Sequence, residues 1–229
     1  MTGVGRIVIM AEMHGRDLVR RHIALGLLVA LPLSFYLASA GKGRQSLPAG
    51  GVGMAFAVGG AALFSALSSL AVDQRLVLAG YRPIELLLGR LMFLGPLGIV
   101  IAGLFTALMT ALSDPASPAA LLLGLVVVAV QAVPFGLAVA ALVPRELEGT
   151  LLLIGVVGVQ LAVGPEAVVA KLLPFYGPRR IIDIGVSGHG SVWGPLGQTA
   201  LYAIGLFVIA RVFVGARLSV RRHGPTDGD

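Results

Sequence analysis

Residues 119–143 read AALLLGLVVVAVQAVPFGLAVAALV, an unbroken apolar run that holds one amide, Gln131, and no charge. A helix needs about 20 mostly apolar residues to cross the hydrocarbon core of a bilayer, and this run exceeds that. Working outward, residues 91–112 and 49–72 precede it and residues 150–170 and 195–216 follow, with residues 23–40 nearest the amino terminus. Their interiors carry almost no charge; Glu166 and Arg211 are the exceptions, each near an expected end where a side chain reaches the interface. The first run is expected to stay as a span and not to be cleaved as a signal, since its apolar stretch begins only after residue 22.

The composition agrees. Of 229 residues, 57% are hydrophobic and 12% charged, against about 25% charged in a typical globular chain. Mean hydropathy is +0.94. A soluble domain of this composition would expose a very large apolar area. Disorder requires low hydrophobicity, and the 32 glycines follow no collagen period. Zero cysteines exclude a disulfide scaffold, Cys-ligated metals and thiol catalysis. The expected fold is therefore an all-α polytopic membrane helix bundle of six transmembrane helices, a single domain over residues 1–229.

Charge orients it. Twelve of the 17 Lys and Arg residues fall on one side under six spans: Arg6, Arg16, Arg20, Arg21, Arg75, Arg82, Arg90, Arg145, Arg211, Arg217, Arg221 and Arg222. Lys42, Arg44, Lys171, Arg179 and Arg180 fall on the other. The positive-inside bias puts both termini, including the tail 217–229, in the cytosol of a plasma (inner) membrane protein. The same bias accounts for the net charge of +6 without nucleic acid, for which no basic stripe with interleaved aromatics is present.

Three parts depart from plain spans. Residues 1–22 include Ile7, Met10, Ala11, His14 and Leu18 at helical spacing, with Glu12 to Arg16 and Asp17 to Arg21 as i,i+4 pairs; an amphipathic interface helix is expected. Residues 73–90 join spans 2 and 3 through Gly80-Tyr81-Arg82-Pro83. Pro83 suits the first turn of a new helix, and the loop is longer than neighbouring helices need, so a partner is expected against it. Residues 171–194 are broken by Pro174, Gly177-Pro178 and several glycines. Their apolar pieces are too short to span, so re-entrant or interfacial helices capping a route are expected outside. Each also has a plainer explanation: a surface anchor, a solvated loop, an ordinary outer loop.

Chemistry is mostly absent. Neither lysine, Lys42 nor Lys171, lies in a phosphate-binding loop. His14, His22, His189 and His223 are scattered without metal spacing. The mid-span polar residues Ser65, Ser68, Thr106, Gln131, Gln160, Thr199 and Tyr202 suit helix-to-helix hydrogen bonding better than ion coupling. The small pairs Ala55/Gly59, Gly98/Ala102 and Gly155/Gly158 are expected at helix seams.

In this layout the chain resembles the membrane-spanning permeases of ABC-2 type transporters. Arg16-Asp17-Leu18-Val19-Arg20-Arg21 looks like the family's N-terminal interface helix. Arg82-Pro83-Ile84-Glu85-Leu86-Leu87-Leu88-Gly89-Arg90 looks like its segment after span 2, and Leu172-Leu173-Pro174-Phe175-Tyr176-Gly177-Pro178 like its external re-entrant region. Two departures stand out. Glu146-Leu147-Glu148-Gly149-Thr150 lies between spans 4 and 5 and not after span 2, where Val72-Asp73-Gln74-Arg75-Leu76 stands.

The resemblance implies an exporter of an amphipathic or lipid-like substrate, built from two such subunits, identical or paralogous. Each would dock on a separate cytosolic ATPase that binds the ATP and Mg, leaving this chain without a cofactor or enzymatic activity. It implies ATPase coupling through Glu12, Arg16, Asp17, Arg75, Tyr81, Arg82, Pro83 and Glu85. It implies an external region built on Glu166, Pro174, Phe175, Tyr176 and Pro178. A haem-exporter-type permease has similar size. A membrane scaffold or regulatory subunit, and an intramembrane enzyme or ion-coupled carrier, are the competing classes.

Overall fold

The computed structural model describes residues 3–20, 22–164 and 166–218, and all regular structure among them is helical. Helix α1 is Gly3–Arg20, α2 His22–Ala38, α3 Ser46–Ser68, α4 Leu70–Leu78 and α5 Pro83–Ser113. Then come α6 Pro118–Leu142, α7 Glu146–Ala162, α8 Tyr176–Ser187 and α9 Trp193–Leu218. Short 3-10 turns lie at Ala40–Gln45 and Val168–Leu172. The tail beyond Leu218 lies outside the described residues, with Arg221 and Arg222.

Among the described residues four helices are long and apolar enough to cross a membrane: α3, α5, α6 and α9. Helices α2 and α7 have 17 residues each, about 25 Å at 1.5 Å per residue, short of a hydrocarbon core of about 30 Å. The sequence expects six spans; four meet the length. The fifth run accounts for part of the difference. Its helix stops at Ala162, two residues before the Gly164-Pro165 pair in the sequence, because proline and the residue before it resist continued helix. Residues 163–164 and 166–170 therefore belong to the connection and not to the span.

Helices α3 and α6 form the spine. Of their most apolar windows 72% and 78% is buried, against 28% for α5 and 11% for α9. Ala55, Gly59, Gly98 and Ala102 are buried in the seams around this spine, as small residues at helix crossings should be. Gly155 and Gly158 instead face outward on α7 with nothing near them. The outer faces of α5 and α9 expose Leu104, Leu112, Leu201 and Ile204. Soluble monomers rarely carry apolar surface on that scale. The chain is a membrane-embedded helical protein.

Direction follows from contacts at helix ends. Tyr36 and Ser113 hydroxyls lie 2.5 Å apart, so α2 and α5 finish together. Arg217 near the end of α9 donates to the Ala140 and Leu142 carbonyls at the end of α6, 3.2 Å each. These carbonyls are the last of α6 and have no partner within it. One end of the bundle thus gathers α1, α4, the start of α5 and the finish of α9. The opposite end gathers the 3-10 turns and α8.

Candidate functional site

The first candidate is the corner of α1, α4 and α5. Helix α4 ends in a tight reversal: Gly80, with φ of 91°, donates to the Val77 carbonyl, and Tyr81 donates to that of Leu76, both at 3.0 Å. This bond pair is the Schellman ending, which needs the left-handed conformation that glycine adopts without strain. Two residues later Pro83 opens α5, and Glu85 turns back to accept from the Arg82 backbone N–H at 2.8 Å. The helix begins at Pro83, where its residue type puts it, and continues unbroken through 31 residues.

Arg6 of α1 clamps this reversal. Its guanidinium donates to the Gly80 carbonyl at 2.8 Å, stands 3.7 Å from the Glu85 carboxylate, and lies 5.2 Å from the centre of the Tyr81 ring. Beneath it Met10, Leu86 and Leu218 pack together, joining α1, α5 and α9. The two helices can approach because residue 89 is glycine: a Cβ there would sit 2.6 Å from that of Met10.

One turn deeper, Arg90 donates to Asp73 at 2.6 Å and also to the Ser69 hydroxyl. Arg90 and Asp73 are 1% and 4% exposed. Burial pushes the Asp73 carboxyl above its ordinary range, and the Arg90 charge pulls it back only in part. A pair sealed like this is costly to break from one side, since the remaining charge is stranded.

The expected coupling residues divide. Tyr81, Arg82, Pro83 and Glu85 share the reversal, with Arg82 exposed and Glu85 buried. Arg75 is exposed on α4. Glu12 and Arg16 pair with each other at 2.5 Å on the open face of α1 and do not reach the reversal. The Asp17 side chain lies outside the described residues. Arg6, Asp73 and Arg90 carry the corner without having been singled out as site residues. For Arg6 the available signal was its i,i+4 spacing from Met10; for Asp73 and Arg90 it was only that both fell in the connecting stretch.

The opposite end is built differently. Gln131 donates to the Pro174 carbonyl, Tyr202 to that of Leu172 at 2.7 Å and Gln198 to that of Lys171 at 2.7 Å. Arg179 donates to the Gln160 and Val163 carbonyls at 2.7 and 2.9 Å, capping α7. Phe175 is buried edge-on against Phe135, ring centres 5.3 Å apart. Pro178 is buried in the first turn of α8, Tyr176 is half-buried, and Glu166 is exposed and 3.2 Å from Arg180. Yet Gln131 Oε1, both amide atoms of Gln160, Arg179 Nε and Asp183 Oδ2 are buried without a hydrogen bond. Burial raises the Asp183 carboxyl too, against Arg179 and Arg180, with Glu166 adding to the rise.

Between α2, α3, α5 and α7 lies a cavity of about 160 Å³. Leu28, Phe56, Phe64 and Phe93 give it an apolar wall, and Ser65, Ser68 and Thr150 add hydroxyls. Among the described residues no group of three His, Asp or Glu is arranged to hold a metal.

No family model matches this sequence, and no curated protein matches it. The structure itself defines a class, an all-helical membrane-embedded protein with a buttressed helical reversal at one end and an underpaired polar segment at the other.

Proposed function

We propose that the chain is the membrane-spanning subunit of an exporter driven by a separate ATPase. In this reading α2, α3, α5, α6, α7 and α9 make six passes, α1 lies along the cytoplasmic interface, and both termini are cytoplasmic. The turn at Val168–Leu172 and helix α8 form the re-entrant external cap. The observation that carries the reading is the corner. A reversal braced by Arg6 and Glu85 presents Arg75 and Arg82 outward and is continuous with the longest helix of the bundle.

A force applied there by a soluble partner would move α5 as a rod, and α9 with it through Leu218. The exposed cations offer an acidic groove its contacts, and Tyr81 an aromatic one. The apolar cavity beside α3 with hydroxyls on its wall suits an amphipathic cargo. A second copy, or a paralogue, would close that side.

The absence of cysteine makes topology directly testable. Arg82→Cys should be labelled by an impermeant thiol reagent only in inverted vesicles. Labelling from outside intact cells ends the proposal. Arg75→Glu/Arg82→Glu should lose a copurifying ATPase while keeping the wild-type melting temperature; undiminished copurification favours a scaffold whose corner serves packing alone.

A further inference from the structure

Helix α8 carries Tyr176, Arg180 and Asp183 on one stripe, spaced four and then three residues apart, while Ile181 and Ile182 on its other face are buried. The polar stripe faces a pocket of about 350 Å³, closed on the far side by His189, Ser191 and Gln198. This volume is at the small end for ligand sites, room for one ring-sized group and not for a whole lipid.

The lining chemistry narrows the occupant. Arg180 can donate, and its charge is balanced by Glu166 3.2 Å away. Asp183 lines the pocket and can only accept when ionised; its Oδ2 is turned into the protein, buried and without a partner. Arg179 is engaged with two carbonyls of α7. Gln198 gives one amide proton to Lys171 and keeps an acceptor oxygen. Of the lining residues Arg180 and Asp183 carry opposite charges, and together they leave no net charge. An anion in the pocket would meet Asp183; a cation would meet Arg180. A hydroxyl group donates and accepts at once, and several on one ring would satisfy both kinds of lining group.

We infer that this pocket binds a neutral polyhydroxylated group, a sugar or polyol. Its assignment as the headgroup of an exported cargo rests on the export reading above, whereas the binding itself does not.

Trp193, the only tryptophan of the chain, stands beside the lining residue Gly194 and is 79% exposed, so its emission reports occupancy without ATP or an ATPase. The full chain, purified in an amine-oxide detergent that carries no sugar, is titrated with methyl β-glucoside, with octyl β-glucoside below its micelle concentration, and with inorganic phosphate. Saturable emission changes are expected with both glucosides and not with phosphate. At least tenfold tighter binding of the octyl compound marks a lipid-borne headgroup, and equal binding marks a free sugar; either supports the site.

Asp183→Ala and Gln198→Leu should each weaken glucoside binding about tenfold in protein that still unfolds cooperatively. A flat glucoside titration of the wild-type chain overturns the inference whatever the variants do, as does preference for phosphate or wild-type binding in a folded Asp183→Ala. A flat titration beside intact ATPase copurification would remove the sugar site and leave the exporter reading standing; binding beside externally labelled Arg82→Cys would remove the exporter alone.

Discussion

At the corner of α1, α4 and α5 the buried charges answer one another, whereas under α8 buried polar atoms are left over. Arg90 meets Asp73 and Ser69, and Arg6 meets Glu85 and Gly80; of these side chains, Arg90 Nε is buried without a partner. Under α8 both amide atoms of Gln160, Gln131 Oε1, Arg179 Nε and Asp183 Oδ2 have none. Buried polar groups in folded proteins are almost all bonded. The contrast separates an end whose buried charges are almost all paired from an end that leaves buried hydrogen-bonding capacity unused.

The sharpest way to break the contrast is to unpair the corner. Asp73→Ala strands the Arg90 charge and should destabilise the protein by about 3–5 kcal/mol in reversible unfolding, whereas Asp73→Leu/Arg90→Met should recover most of that loss. A single variant as stable as wild type would mean the corner does not depend on its ion pair. Next in size, Gly89→Leu forces α1 off α5, a cost of about 1–3 kcal/mol, and should expose residues 3–20 to limited proteolysis at unchanged cleavage elsewhere.

At the other end the expected sign reverses. Gln160→Leu removes an amide without partners and should raise stability by about 1 kcal/mol; a fall of the same size would show that water or a ligand satisfies Gln160 in the membrane. Arg6→Ala should cost about 1 kcal/mol, since the side chain is partly exposed. Its clearer signature is faster amide exchange at residues 80–85 alone.

The smallest effect is a slope with pH. Burial raises the Asp73 and Asp183 carboxyls above 3.8, so the folded state holds protons that the unfolded chain has already released. Their contribution is complete below that ordinary value and is lost as pH rises through the folded ones. Melting temperature measured upward from pH 4 should therefore fall more steeply in wild type than in Asp183→Asn.

The two ends also differ in how far they could be read in advance. The reversal at Gly80–Pro83 is legible because glycine and proline act on their own neighbours, whereas the return of Glu85 onto the Arg82 backbone shows only in the structure. The amphipathic α1 was legible from spacing alone. Nothing local announced that Gln131 would reach Pro174 or Arg90 reach Asp73, pairs 43 and 17 residues apart. Gly164-Pro165 marks the shortening of α7, but the apolar run continues across it, so hydropathy alone extends the span to residue 170. Gly155 and Gly158 had the composition of a seam and lie on an open face.

Composition and periodicity alone determined that this chain is helical, greasy and bound for a membrane, because solvent preference is a property each residue carries with it. Which buried charge finds a partner, and which amide is left without one, was decided only by the tertiary structure. Hydrogen bonds and ion pairs act over a few ångströms, and only the packed helices bring distant residues that close.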